Sequence, residues 1–588
     1  MKVPEPLRCM VLLLVFAVVF GAITVGSYVR ESATWDEPQH LVAGYCALKF
    51  HDYRTDPEHP PLIRMWAALP LLGMDGIKID LQKIDPLSST TWVMNRQFFF
   101  CHDTLYLAND ADHLLYAARF MIVLLGVLLG VLVFCWAREL FGFWPAAIVL
   151  GFYTIEPNLL AHCRLVTTDF GVACFTFGTA YFLWRTTRRL SAGNLLSLIA
   201  FFALAQAGKF SAVLLGPIVL VLLAARALCK SPWPLAIGQT RQLTTRRVRS
   251  AVAGSVFAAM VFTAWVGIWA AYDFRFLPSD TPGWRMEFQK DPVFLQRMPA
   301  LTQAVTWVDE HHLLPNAYNE GFLLGQVKAQ KRSAFLAGSY RTDGWWWFFP
   351  FAFLIKTPIA VIALFAAGAL VAVSRWRRLV DDVIYILLPP GTFLVAAMAA
   401  KLNIGLRHVL PVYPFALLLA GYAIAKLSAA RSTPRRFALV ALGLLAVAEF
   451  VLVCPHYLAF FNGFVGGPRH GQEYLVDSNL DWGQDLKGLK EWMDHHDVHH
   501  INLAYFGTAD PAYYKMDCTY LLGGPFFDDP QLGRPILPGY VAVSATNLRG
   551  LYLPDQWRGF YMPLLDREPA AVIGFSIYVY WVDQVWWR

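Results

Sequence analysis

Runs of about 20 apolar residues recur along this chain from its first residues to roughly residue 458, and each is long enough to cross the hydrocarbon core of a bilayer. No soluble fold tolerates that pattern over three quarters of its length. Composition agrees: of 588 residues, 57% are hydrophobic and only 15% charged, against roughly a quarter charged in an ordinary soluble domain. The net charge of +7 is no nucleic-acid signal, because the basic residues sit in short clusters between apolar runs. The nine cysteines form no C-x-x-C pair, which argues against a zinc or redox framework. Cys46 and Cys101 fall in one loop, where a disulfide and two free buried thiols are both open.

The hydropathy pattern predicts about eleven transmembrane helices. The first three lie near 9–29, 117–137 and 145–161, followed by 165–184, 193–207, 211–228 and 251–271. The last four lie near 347–373, 383–400, 408–425 and 437–458. Lys and Arg orient them. With the N-terminus (Lys2, Arg8) in the cytoplasm, the clusters Arg185–Arg189, Lys230–Arg249, Arg375–Arg378 and Arg431–Arg436 all fall on that side, as the positive-inside rule requires. The first apolar stretch is long for a signal peptide and reads as a retained anchor. The loops 30–116 and 272–346 and the polar tail from 459 then face outward. The division is a membrane domain, 1–458, and a small extracytoplasmic α/β domain, 459–588. A helix near 485–493 and strands at 501–506, 540–544 and 571–580 are expected in the tail.

Charged residues from distant segments converge on the outward side. Asp36 and Glu37 follow the first span, with Pro38 suited to a first helical turn and His40 on the same face. They are either the favourable acidic start of a helix or a reactive site, since charge beside hydrocarbon tends to be functional. The turn Asp56-Pro57-Glu58-His59-Pro60-Pro61-Leu62-Ile63-Arg64 holds Glu58 and His59 rigidly. His59 and Arg64 suit a lipid phosphate there, or Arg64 meets headgroups from an interfacial helix. Asp169 opens a helix just below the surface, facing a cavity or pairing with Arg164. Lys209 and Arg407 are cations in tight outer turns, bound either to phosphate or to headgroups. His495, His496, His499 and His500 read as a solvated helix end, and Trp345-Trp346-Trp347 as an interfacial belt. Asp477, Asp481 and Asp485 read as a solvated helix face.

The acidic pair after the first span, the Glu-His-Pro-Pro-Leu turn at 58–62, Thr-Thr-Asp at 167–169 and Arg407–Pro414 resemble the GT-C superfamily. The similarity is to the protein O-mannosyltransferase-like and lipid A aminoarabinose transferase-like branch, glycosyltransferase family 39. Gly344–Pro350, Lys356-Thr357-Pro358 and Val476–Asp485 look like a bacterial subgroup of it. The resemblance implies a polytopic α-helical GT-C-like fold and transfer of a hexosyl or pentosyl group, with inversion, from a polyprenyl-phosphate sugar. Asp36 matches the catalytic base, Glu37 its acidic neighbour, Glu58 and His59 a donor-side pair, and Asp169 an outer acidic residue of the cavity. The aminoarabinose branch has lysine where this chain has His59, and a mostly neutral imidazole is a weaker phosphate ligand.

Catalysis is thus expected from Asp36, Glu37 and Asp169. Donor phosphate is expected on His59, Arg64, Lys209 and Arg407, with Glu58 beside it. No cofactor is called for; some GT-C relatives use a divalent metal, for which the sequence offers no strong argument. Expected partners are the polyprenyl-phosphate donor, membrane lipid and an acceptor that is protein, lipid or glycan, in an inner (plasma) membrane. The competing reading is a transporter or flippase for a lipid-linked or anionic substrate, which predicts charges near the midplane and related halves; neither is visible.

Overall fold

The computed structural model describes residues 4–85, 89–238, 240–429, 433–524 and 534–586. Lys2 and Arg431, used above for orientation, lie outside them. Among the described residues, six helices are long and apolar enough to cross a membrane: Glu5–Tyr28, Ala111–Phe141, Phe210–Leu228, Arg246–Ala271, Val380–Ala399 and Thr433–Val453. The chain is a multi-pass membrane protein.

The segment expected as one span at 347–373 is two helices, Phe348–Lys356 and Ile359–Ser374, bent by 118°. Pro358 stands in the break, where it removes a helical donor and drives Thr357 out of the helical region. The segments expected at 145–161, 193–207 and 408–425 contain the shorter apolar helices Phe143–Thr154, Ala192–Gly208 and Val412–Ser428. The segment at 165–184 is the helix Thr168–Arg188. It is buried along almost all of its length and packs on Ala111–Phe141 and Ala192–Gly208. Two of its threonines bond back along the helix: Thr179 donates to the Phe175 carbonyl at 2.8 Å and Thr187 to the Trp184 carbonyl at 2.9 Å. All eleven expected segments are helical, but they divide into long, bent, short and polar members because an enclosed helix need not be uniformly apolar.

After the first helix the chain runs through Glu31–Asp36 into the helix Glu37–Phe50, then through a turn into Leu62–Ala68. Two glycines let that turn approach its neighbours. A Cβ on Gly44 would collide with the Arg64 carbonyl, and one on Gly321 with the Pro57 carbonyl. Cys46 and Cys101 are free, buried thiols.

The tail holds the helix Leu486–His495 and a five-stranded sheet. In spatial order its strands are Cys518–Tyr520, Ile501–Ala504, Gly539–Ser544, Ile577–Val582 and Ala571–Ile573. The first three are parallel and the last two join antiparallel. The histidines at 495, 496 and 499 are exposed, as a solvated helix end should be. Trp346 and Trp347 are exposed and Trp345 is buried.

One tail expectation fails. Asp477, Asp481 and Asp485 are buried, not a solvated face. The segment containing them is an irregular strap with one 3-10 turn, Asp477–Asn479, and no single helix carries all three. Its backbone pairs with the loop after the first helix: Ser32 N–H donates to the Gln484 carbonyl at 2.9 Å and Trp35 N–H to the Trp482 carbonyl at 2.8 Å. The Lys356 ammonium, at the end of the first bent helix, donates to the Leu458 carbonyl at 3.0 Å and also to the Asn479 carbonyl. The helix break and the strap therefore hold each other.

Candidate active site

Asp36 and Glu37 are adjacent in sequence and opposite in environment. Asp36 occupies the N-cap position of the helix Glu37–Phe50, yet its side chain makes no capping bond. Its carboxylate instead meets the Arg407 guanidinium at 2.7 Å and stays 28% exposed. Glu37 is wholly buried. Its Oε2 accepts from Thr34 N–H at 2.8 Å and Arg119 Nη2 at 2.6 Å, and its Oε1 accepts from Arg119 Nε and Val166 N–H, both at 2.9 Å. Arg119 spends its remaining donors on the carbonyls of Tyr28, Glu31 and Ser32. Glu37 and Arg119 thus lock the loop in place, and Asp36 is the member of the pair with a free side.

Arg407 comes from the short turn Leu406–Val409. Asn479 of the strap accepts from Leu406 N–H at 2.9 Å, and the Trp482 ring lies under the guanidinium at 4.0 Å. Arg407 also reaches Asp169 at 3.7 Å. Asp169 sits in the first turn of Thr168–Arg188 and pairs with Lys209. The result is an alternating chain, Asp36–Arg407–Asp169–Lys209, built by four elements far apart in sequence. Around it the Nε of Arg407, Nε2 of His408 and hydroxyls of Thr167 and Thr168 are buried with no protein hydrogen-bond partner. Unpartnered donors at this density mark a place for a polar ligand or water.

Burial on its own would raise the Asp36 carboxyl. The Arg407 charge, with the imidazoles of His40 and His59, outweighs it and holds the group below the usual carboxylate value. Asp36 is therefore an anion at neutral pH with a cation at its side.

A second cluster adjoins the first. Asp56 accepts from or shares a proton with His40 Nδ1 at 2.7 Å and His59 Nδ1 at 3.1 Å, and pairs with Arg64 at 2.9 Å. Arg64, expected at headgroups or on a phosphate, is instead 1% exposed beneath Asp56 and has no face toward the site. His59 keeps an open side at 27%. Glu58 pairs with Lys328 at 2.6 Å. Arg164 pairs with Glu31 at 2.5 Å rather than with Asp169.

Several members escaped sequence reasoning. Arg119 carried a usable signal, a cation inside an apolar run. Trp482 and Asn479 lie in the Val476–Asp485 segment noted for its resemblance, but nothing in the sequence placed them at the site, because only the folded strap brings residues 476–485 over it. The tail reaches the loop again through Phe506, stacked on Trp35 at 4.8 Å, and Thr508, whose hydroxyl donates to the Trp35 carbonyl at 3.1 Å.

Residues 107–244 match the family described as "Dolichyl-phosphate-mannose-protein mannosyltransferase". That match agrees with the resemblance read from the motifs and contains one of them, Thr-Thr-Asp at 167–169. No curated protein matches the chain. Among solved structures, ArnT from Cupriavidus metallidurans bound to undecaprenyl phosphate is 13% identical, over 96% of this chain and 97% of that one, with a TM-score of 0.43. An oligosaccharyltransferase from Archaeoglobus fulgidus is 11% identical, over 95% of this chain and 71% of that one, with a TM-score of 0.46. The Pmt1-Pmt2 protein O-mannosyltransferase complex of S. cerevisiae, bound to its sugar donor, is 16% identical, over 50% of this chain and 37% of that one, with a TM-score of 0.33.

Proposed function

We propose that this protein transfers a sugar, with inversion, from a polyprenyl-phosphate donor to an acceptor hydroxyl on the outer face of the plasma membrane. The observation that carries the reading is the half-open Asp36 carboxylate, paired with Arg407 at 2.7 Å beside buried, unpartnered donors. The family match supports it, since the family description names a lipid-phosphate sugar. The charge asymmetry of the loops supports the orientation.

In this reading Asp36 takes the proton from the acceptor hydroxyl as it attacks the anomeric carbon. The bond from that carbon to the phosphate oxygen breaks, and the electron pair leaves with the polyprenyl phosphate. Arg407 and Lys209 meet the developing phosphate charge, exchanging carboxylate partners for phosphate oxygens. Asp169 holds both cations in place until then. Glu37 and Arg119 keep the loop rigid, so that Asp36 stays within reach of the acceptor. His59 borders the donor from its open side.

Purified protein in nanodiscs, given polyprenyl-phosphate-linked hexoses and pentoses and a membrane extract as acceptor, should release polyprenyl phosphate and label an acceptor. Movement of intact donor across proteoliposomes with no bond cleavage would establish the flippase reading instead.

A further inference from the structure

The cluster Asp56, His40 and His59 does more than the proposed transfer needs. Each residue offers one ligand atom, and the three atoms lie within 4.8 Å of one another. Both imidazoles turn Nδ1 toward the same carboxylate, at 2.7 Å and 3.1 Å. Their rings meet edge to face, with centroids 4.7 Å apart. Two nitrogens and one carboxylate oxygen make the donor set of a zinc site with a fourth position open. Carboxylate-only oxygen cages, which suit calcium or magnesium, look different.

The cluster is also held the way metal ligands are held. Asp56 has φ +55°, a backbone conformation costly for a residue with a side chain, and such positions gather at functional sites. Its N–H donates to Gln97 Oε1 at 2.9 Å, and Arg64 donates to its carbonyl and pairs with its carboxylate. Those bonds are the outer layer that orients a ligating carboxylate. Gly44 and Gly321 leave room for nothing but hydrogen where the turn is pinned. His40 and Asp56 are almost fully enclosed, and only His59 opens outward, at 27%. His40 N–H donates to the Asp36 carbonyl at 3.1 Å, so the cluster lies one helical turn from the proposed base.

A second group, Glu31, His456 and Asp485, offers one imidazole rather than two, and Asp485 is already taken by the Ser576 hydroxyl and the Gln484 amide beside His456.

We propose that His40, Asp56 and His59 form a site for a divalent transition metal of the zinc class, with its open coordination position on the side of Asp36. The open position suits an oxygen of the donor phosphate; that part alone rests on the function proposed above. It would also account for a histidine at 59 where the aminoarabinose branch carries lysine, since a metal held there supplies positive charge.

The test is metal binding by the full-length protein in nanodiscs. After EDTA treatment and equilibrium dialysis against zinc chloride, wild type and Asp36→Asn should each hold about one zinc per chain. His59→Ala, at the half-open position, should raise the zinc Kd by at least about 10-fold, and His40→Ala with His59→Ala should abolish binding. Cobalt(II) should give a visible absorption band in wild type that His59→Ala loses, a signal that does not depend on stability. Wild type holding no more zinc than the double variant, or showing no cobalt band, would overturn the proposal. Zinc bound without sugar transfer would overturn only the function proposed above; transfer by a protein that binds no metal would overturn only this site.

Discussion

The carboxylates of the loop after the first helix and those of the tail strap are buried within the same assembly but are satisfied differently. Four of the loop carboxylates each have a cation: Asp36 has Arg407, Glu37 has Arg119, Asp56 has Arg64 and Glu31 has Arg164. The strap aspartates are held largely by neutral groups. Asp481 accepts from Thr546 N–H at 2.8 Å and leaves its other oxygen unpartnered. Asp485 accepts from the Ser576 hydroxyl at 2.7 Å and the Gln484 amide at 2.8 Å. Burial pushes Asp481 up to about 8, whereas Asp36 sits below the usual value. The loop is built to stay charged. The strap is built to cover it, and Asp481 need not ionise.

The largest effect should come from breaking a loop pair. Arg119→Met leaves Glu37 buried without its cation, a loss of about 3–5 kcal/mol. Poor recovery of folded protein or a lowered Tm in detergent would show it; an unchanged Tm would contradict the scaffolding role of the pair.

Next is Arg407→Gln. In the proposed transfer Arg407 meets the leaving phosphate, and its loss should slow turnover by about 10²–10³-fold. It should also move the acid limb of the pH profile. Arg407 depresses Asp36, and a depressed carboxyl stays ionised to lower pH. Its removal shifts the loss of activity upward toward the ordinary carboxylate range, which a pH–rate profile of both proteins reads directly.

Asp481→Asn should act in the opposite direction. Below about pH 4 the carboxyl is protonated whether the tail is folded or not. As pH rises from there to about 8, the unfolded chain ionises while the folded tail stays protonated. Folding stability falls through that window by at most about 1.4 kcal/mol per pH unit. The asparagine variant should flatten the Tm-against-pH curve across it and gain stability at its upper end. The smallest effect is expected for His495→Ala with His496→Ala, exposed at the helix end and within about 0.5 kcal/mol of wild type.

The helical segments were legible in the sequence because apolar length is a direct requirement of the bilayer. The bend at Pro358 was visible as a residue but not as a 118° turn, since hydropathy averages across it. Asp36, Asp169, Lys209 and Arg407 were legible as charges out of place, and the structure brings all four together. Arg64 was misread as a surface cation because its partner, Asp56, lies eight residues earlier across a left-handed turn that no pattern announces. The strap aspartates were misread because a spacing of four residues imitates a helix. Only tertiary contact with the first loop shows that they run as irregular chain.

In the proposed transfer Asp36 is the base and not merely an anchor for Arg407. Single-turnover release of polyprenyl phosphate from a radiolabelled polyprenyl-phosphate sugar, with saturating acceptor, tests it directly. Asp36→Asn should bind donor with affinity close to wild type and fold to the same Tm, yet cleave it about 10²–10⁴-fold more slowly. Cleavage by folded Asp36→Asn at the wild-type rate would contradict the account.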